Sequence, residues 1–189
     1  MNHIIIDIET APLDFDKYGS LSDDDKLKLL NPIDSRIVAI GFHHDGLNNI
    51  FIDVDEKVLL QNFWEKFNDA RTKSPGCIIV GFNIISFDIP FITTRSFVNN
   101  VQVTPFKIKH VIDLREKISA YRSGRVRGSL KDLAGFIGIS SGENGSMVFE
   151  WWKSGEYEKI KLYLQKDLVM TEAVYQRAKD LRILEIEKW

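Results

Sequence analysis

The chain has 189 residues, 44 % of them apolar, and 25 basic against 27 acidic side chains give a formal charge of −2. That length supports one domain, residues 1–189, with about 70 % of its unfolded surface buried, and the charge balance excludes a uniformly basic protein that coats nucleic acid. No run approaches the roughly 20 apolar residues that cross a bilayer, the N-terminus lacks signal-peptide flanks, and Cys77 as sole cysteine excludes an internal disulfide or multi-cysteine zinc site, so a cytoplasmic protein without membrane association is expected.

Residues 3–9 read as a first strand, apolar enough to lie at the centre of a sheet. The polar stretch 11–35 interrupts the strands with a short helix opened by Ser22. Arg36–His43 and Asn48–Val54 are apolar runs on either side of an Asp45-Gly46 turn signal, which predicts an antiparallel hairpin. A helix over Glu56–Arg71 follows, with Val58, Leu59, Phe63 and Phe67 as its inward face. Cys77–Phe82 is the fourth predicted strand, with Cys77 a small buried hydrophobe. Phe87–Val98 is a helix with Ser86 as N-cap, and Lys109–Ile112 is the fifth strand. Asp113 caps the helix after it, with Glu116 completing a capping box. The remainder is helical at Leu130–Ile137 and again from about 156 to 183, with a Gly- and Ser-containing loop over 138–146 between them. Strands mixed with covering helices predict an α/β fold.

Acids interrupt this pattern in three places. In the first strand alternate side chains face opposite ways, so Asp7 and Glu9 share one face while Ile4, Ile6 and Ile8 line the other. Two carboxylates on one face of so apolar a strand call for a cation. Asp88 falls in the first turn of its helix, where the macrodipole alone accounts for a carboxylate. In the last helix Ile160, Tyr163, Leu164, Leu168, Thr171, Val174 and Tyr175 form one core-facing stripe, and Asp167 sits in its middle. Tyr163 lies one turn before Asp167 on the same face.

Taken together, Asp7-Ile8-Glu9-Thr10, Asn83-x-x-x-Phe87-Asp88-x-Pro90-Phe91 and Tyr163-x-x-x-Asp167 followed by Thr171 resemble the motifs of the DEDDy 3′-to-5′ exonucleases. The likeness is most specific to the proofreading domain of family-B DNA polymerases and its stand-alone relatives, and it spans residues 3 to about 175. The histidine branch of that group would place histidine at position 162, which is Leu162. The resemblance implies a ribonuclease H-like fold, a five-stranded mixed central sheet flanked by helices. It implies a 3′-to-5′ exonuclease that hydrolyses terminal phosphodiesters of single-stranded nucleic acid, DNA favoured over RNA, and releases 5′-mononucleotides.

It further implies two divalent cations, Mg2+ or Mn2+, held by Asp7, Glu9, Asp88 and Asp167. Asp7 would bridge both ions, Glu9 and Asp167 complete the first, and Asp88 hold the second largely through water. Tyr163 would orient the attacking water. Asn83 and the main chain near Thr10 would hold the terminal nucleotide, with Phe87 or Phe91 near its base, although either phenylalanine can equally serve the core. The competing reading is a module on the same fold that holds nucleic-acid ends or a protein without hydrolysis.

Three other patterns need a reading. Arg122, Arg125, Arg127 and Lys131 make a basic segment that is either a solvated turn or a phosphate contact. Asp14, Asp16, Gly19 and Asp25 mimic a calcium loop, but Tyr18 at its fifth position and Asp25 at its twelfth argue against one. His3, His43, His44 and His110 show no metal-helix spacing and read as structural or exposed.

Overall fold

A computed structural model describes residues 2–122, 128–139 and 147–188. Arg125, Arg127 and residues 140–146 of the expected loop lie outside the described residues.

The sheet has the order β3-β2-β1-β4-β5, so the first strand, β1 (His3–Pro12), takes the central place its sequence predicts. It runs past the expected end at residue 9 because a register shift between Glu9 and Thr10 lets it continue beside β2. Two short helices follow, α1 (Phe15–Gly19), capped by Asp14, and α2 (Asp23–Lys28), capped by Ser22. The first was not expected. Asp14 and Asp25, members of the calcium-loop pattern, accept the N–H of Lys17 and the ammonium of Lys28.

β2 (Ser35–His44) and β3 (Leu47–Ile52) form the predicted hairpin. Asp45 and Gly46 both take positive φ, 51° and 75°, the two-residue turn whose twist matches the strands. The helix α3 (Glu56–Lys73) buries Leu59, Leu60, Phe63, Trp64 and Phe67, while Val58, expected inside, is exposed. Glu56 starts this helix buried, clasped by the Arg95 guanidinium at 2.6 Å and by the Ile37 N–H at 2.7 Å.

β4 (Ile78–Gly81) pairs parallel with β1 over His3–Ile5. The chain then turns into α4 (Asp88–Val98), whose N-cap is Phe87 with no side-chain bond, not Ser86. The Asp113 carboxylate holds the preceding loop, accepting the N–H groups of Asn83 and Ile85. β5 (Val111–Asp113) starts later than expected because Ile108–His110 wind into a 3-10 turn. Asp113 also caps α5 (Leu114–Ile118), as predicted.

α6 (Leu130–Phe136) opens on a Ser129/Asp132 capping box. A short α7 (Val148–Lys153), missed in the sequence, buries Val148, Trp151 and Trp152. α8 (Tyr157–Asp180) buries every residue of the predicted stripe, Asp167 included. Helices α3 and α4 cover one sheet face through Ile4, Ile6 and Ile8. The other face, through Ile5, Ala39 and Val80, lies under α6, α7 and α8. The fold is α/β, a five-stranded mixed sheet between helical layers, and no described helix is long and apolar enough to cross a membrane.

Candidate active site

Asp7 and Glu9 leave β1 on the face covered by α8, and Gly41 makes their meeting with Asp167 feasible. Gly41 stands opposite Asp7 in the β1–β2 register. A Cβ there would lie 3.0 Å from Leu164 Cγ and 3.1 Å from Leu168 Cδ1. Its absence lets α8 settle on the sheet with Asp167, between those leucines in sequence, turned toward the β1 acids. The result is that carboxylate oxygens of Asp7, Glu9 and Asp167 all lie within 4.8 Å of one another.

Asp88 reaches the same strand from another direction. β1 and β4 are paired only as far as Ile5, and beyond that point the Asp88 Oδ1 accepts the Ile8 N–H at 3.1 Å. Asp88 thus fills a vacant main-chain donor between Asp7 and Glu9 rather than joining the three-carboxylate cluster. Gly81 is needed at this junction, since a Cβ there would come 2.7 Å from Ile84 Cβ and 3.0 Å from the Ile6 carbonyl oxygen.

Crowding acids under a helical layer makes each one harder to ionise. Burial, then the charges of Asp88, Glu9 and Asp167, push the Asp7 carboxyl well above the usual carboxylate range. Glu9 is likewise raised by burial and by Asp167 and Asp88, with Lys131 pulling the other way. Burial pushes Asp88 up to about 7, against the lowering effect of main-chain N–H groups that include Ile8. Asp167 is raised by burial, opposed by Lys131 and the neighbouring Tyr163 hydroxyl. Burial and the nearby Glu9 and Asp167 charges raise the Tyr163 phenol, so it keeps its proton at any working pH.

These observations test whether a cation suits the cluster. Asp167 Oδ1 is buried with no hydrogen-bond partner among the described residues, and leaving such a group unsatisfied costs about 1–3 kcal/mol, more when charged. The donors are oxygens only, a set that selects hard cations such as Mg2+ or Mn2+. The cluster fits that kind of ion.

The other predicted residues fall into two groups. Glu9, Thr10 and Phe87 line a cleft of ≈460 Å3 whose far side carries Tyr18, Leu27 and Phe149. Phe91 belongs to the core, its ring 4.8 Å from that of Phe87. Asn83 is not on the cleft wall; it adopts a left-handed φ of 62°, and its side-chain oxygen accepts from Arg115 at 3.1 Å. Lys131, the last residue of the basic segment read as either a solvated turn or a phosphate contact, places its Nζ 4.6 Å from the Tyr163 ring centroid. Phe149 and Tyr18 had no signal in the linear sequence, because their helices are short and their roles depend on the fold.

An α/β protein of ribonuclease H-like architecture, with an acidic centre on its middle strand, is what these elements define. An RNase_H superfamily model matches residues 29–179, and the chain belongs to that superfamily. The match takes in Asp88, Tyr163 and Asp167 but starts after Asp7 and Glu9. An uncharacterized protein of Methanocaldococcus jannaschii is 33 % identical, with 82 % of this chain and 93 % of that protein aligned. The DNA polymerase delta catalytic subunit of Caenorhabditis elegans is 32 % identical over 54 % of this chain and 9 % of the subunit. The family B DNA polymerase from the archaeon Pyrobaculum calidifontis superposes with a TM-score of 0.67 at 17 % identity, over 97 % of this chain and 25 % of that one. The fold is therefore of the polymerase-exonuclease type, and the chain corresponds to a fraction of each polymerase.

Proposed function

We propose that this chain is a metal-dependent 3′-to-5′ exonuclease that removes 5′-mononucleotides from the ends of single-stranded nucleic acid, DNA in preference to RNA. The observation that carries the reading is the convergence of Asp7, Glu9 and Asp167 within 4.8 Å, beside a cleft wide enough for a nucleotide. In this reading Asp7, Glu9 and Asp167 would hold one divalent cation, Mg2+ or Mn2+, and Asp7 and Asp88 would hold a second. Two such ions supply stabilisation of charge on the attacking and leaving oxygens of an in-line phosphoryl displacement.

The side chains do the rest. Tyr163 remains a phenol, so it orients water by hydrogen bonding and is not itself the base. Thr10 and Phe87 line the wall against which the terminal nucleotide rests, and an aromatic ring there contributes about 1–3 kcal/mol of stacking without choosing among bases. Asn83, off the cleft wall and bonded to Arg115, serves instead to hold the loop above β4 that leads to Phe87.

The test is a 5′-labelled single-stranded DNA oligonucleotide incubated with the full chain in Mg2+, Mn2+ or chelator, beside its RNA counterpart. A ladder shortening from the 3′ end, abolished by chelator and by Asp7→Ala, is the expected result. Tight binding of the oligonucleotide with no shortening in either metal would replace the exonuclease with a non-hydrolytic end-binding module.

A further inference from the structure

At the opposite end of β1 a second group of potential ligands comes together that the exonuclease reading does not use. Ligand atoms of His3, His43 and Glu172 all lie within 4.8 Å of one another, and all three residues are half-buried. His3 and Asp7 are four residues apart on the strand, about 13 Å at the usual rise, so this is a separate place on the same sheet face. Ile5 pairs with His43, which sets both histidines on the side that α8 covers.

Each of the three also has a contact outside the group. The Glu172 Oε1 accepts from Gln176 at 2.7 Å, and its Oε2 meets His3 Nε2 at 2.6 Å. His43 Nδ1 lies 2.6 Å from Asn48 Oδ1. His43 and Asn48 face each other across β2 and β3, and this contact holds the imidazole in place. The His3 ring rests against that of Tyr175, centroids 4.5 Å apart. Outer contacts that hold ring orientation are a usual support of histidine metal ligands. A simple His3–Glu172 ion pair does not account for the second imidazole beside it.

We infer that His3, His43 and Glu172 form a second metal site, one that takes a single borderline divalent ion such as Zn2+ and not the hard cations of the acidic centre. Two imidazole nitrogens and one carboxylate oxygen suit zinc, with a fourth position left to water. Zinc–ligand bonds near 2.0–2.1 Å separate tetrahedral ligands by about 3.3 Å, so His3 and Glu172 need to part by less than about 1 Å. The ion would join β1, β2 and α8.

The experiment uses the full chain carrying Asp7→Asn, in excess Mg2+, so that the acidic centre does not compete for zinc. Zn2+ alone is titrated while imidazole nitrogen resonances are followed by NMR. At one equivalent the His3 and His43 signals should shift with those of His44 and His110 unmoved, and the melting temperature should rise. His43→Gln and Glu172→Gln, each shown to be folded without zinc by its own melting curve, should weaken binding at least tenfold. Unshifted His3 and His43 signals at one equivalent, or affinity unchanged in both variants, would overturn the site. Neither result depends on nuclease activity.

Discussion

The Asp88 carboxylate accepts the main-chain N–H of Ile8 at 3.1 Å, the residue that stands between Asp7 and Glu9. This bond gives Asp88 a positional role and an electrostatic one, and two substitutions separate them. Asp88→Asn keeps an oxygen for the Ile8 N–H but removes the charge, so its melting temperature in chelator should equal or exceed that of the wild type while hydrolysis falls by about 100-fold, the upper range for loss of a metal-supporting group. Asp88→Ala also orphans the Ile8 N–H and should be less stable than Asp88→Asn by about 1–3 kcal/mol, with a lower melting temperature. Thermal melts beside the oligonucleotide assay decide it, and an Asp88→Asn protein with wild-type turnover would remove Asp88 from the chemistry.

Lys131 lies over the Tyr163 ring and lowers the carboxyls of Glu9 and Asp167. Replacing it with methionine keeps most of the apolar stem and removes the charge. Turnover should drop by about tenfold, equivalent to roughly 1.4 kcal/mol. The acidic limb of the pH–rate profile should move to higher pH, because Glu9 and Asp167 then ionise later. A profile of unchanged shape would show that Lys131 acts only through packing.

Without metal, the acidic centre should make stability fall as pH rises. Asp7, Glu9, Asp88 and Asp167 all have folded carboxyls raised above their usual values, Asp88 to about 7. Above the unfolded value and below the raised one, the folded chain binds more protons than the unfolded chain, so the slope of unfolding free energy with pH is negative. For Asp88 that window runs from the ordinary carboxylate range to about 7. The contribution of these groups to the melting temperature in chelator should therefore decline as pH rises from about 4, with the Asp88 share lost by about pH 7. Mg2+ should flatten that decline and Asp7→Asn should reduce it, both measurable by differential scanning calorimetry.

Gly41→Ala tests how α8 is seated. The added methyl would press on Leu164 and Leu168 at 3.0–3.1 Å, which requires those side chains or the helix to give way. A loss of about 1–3 kcal/mol is expected from overpacking. Because Asp167 rides on the same helix, hydrolysis should fall further than stability alone explains. Activity measured well below the melting temperature separates the two effects.

Much of the fold was legible in the sequence because it is written in local periods. The alternation of His3 to Glu9, the Asp45-Gly46 turn and the helical stripe from Ile160 to Tyr175 each express a backbone geometry that neighbouring residues dictate. The acids stood out for the same reason, as charges at positions those periods reserve for the core. What only the tertiary structure decided are the relations between distant segments: Asp88 on the Ile8 N–H, Lys131 over the Tyr163 ring, and His3, His43 and Glu172 around one point. Those depend on which strands neighbour β1 and how closely α8 can approach it, and a missing Cβ at Gly41 influences that approach. No spacing along the chain encodes such a distance, because it results from packing between elements rather than from the period within any one of them.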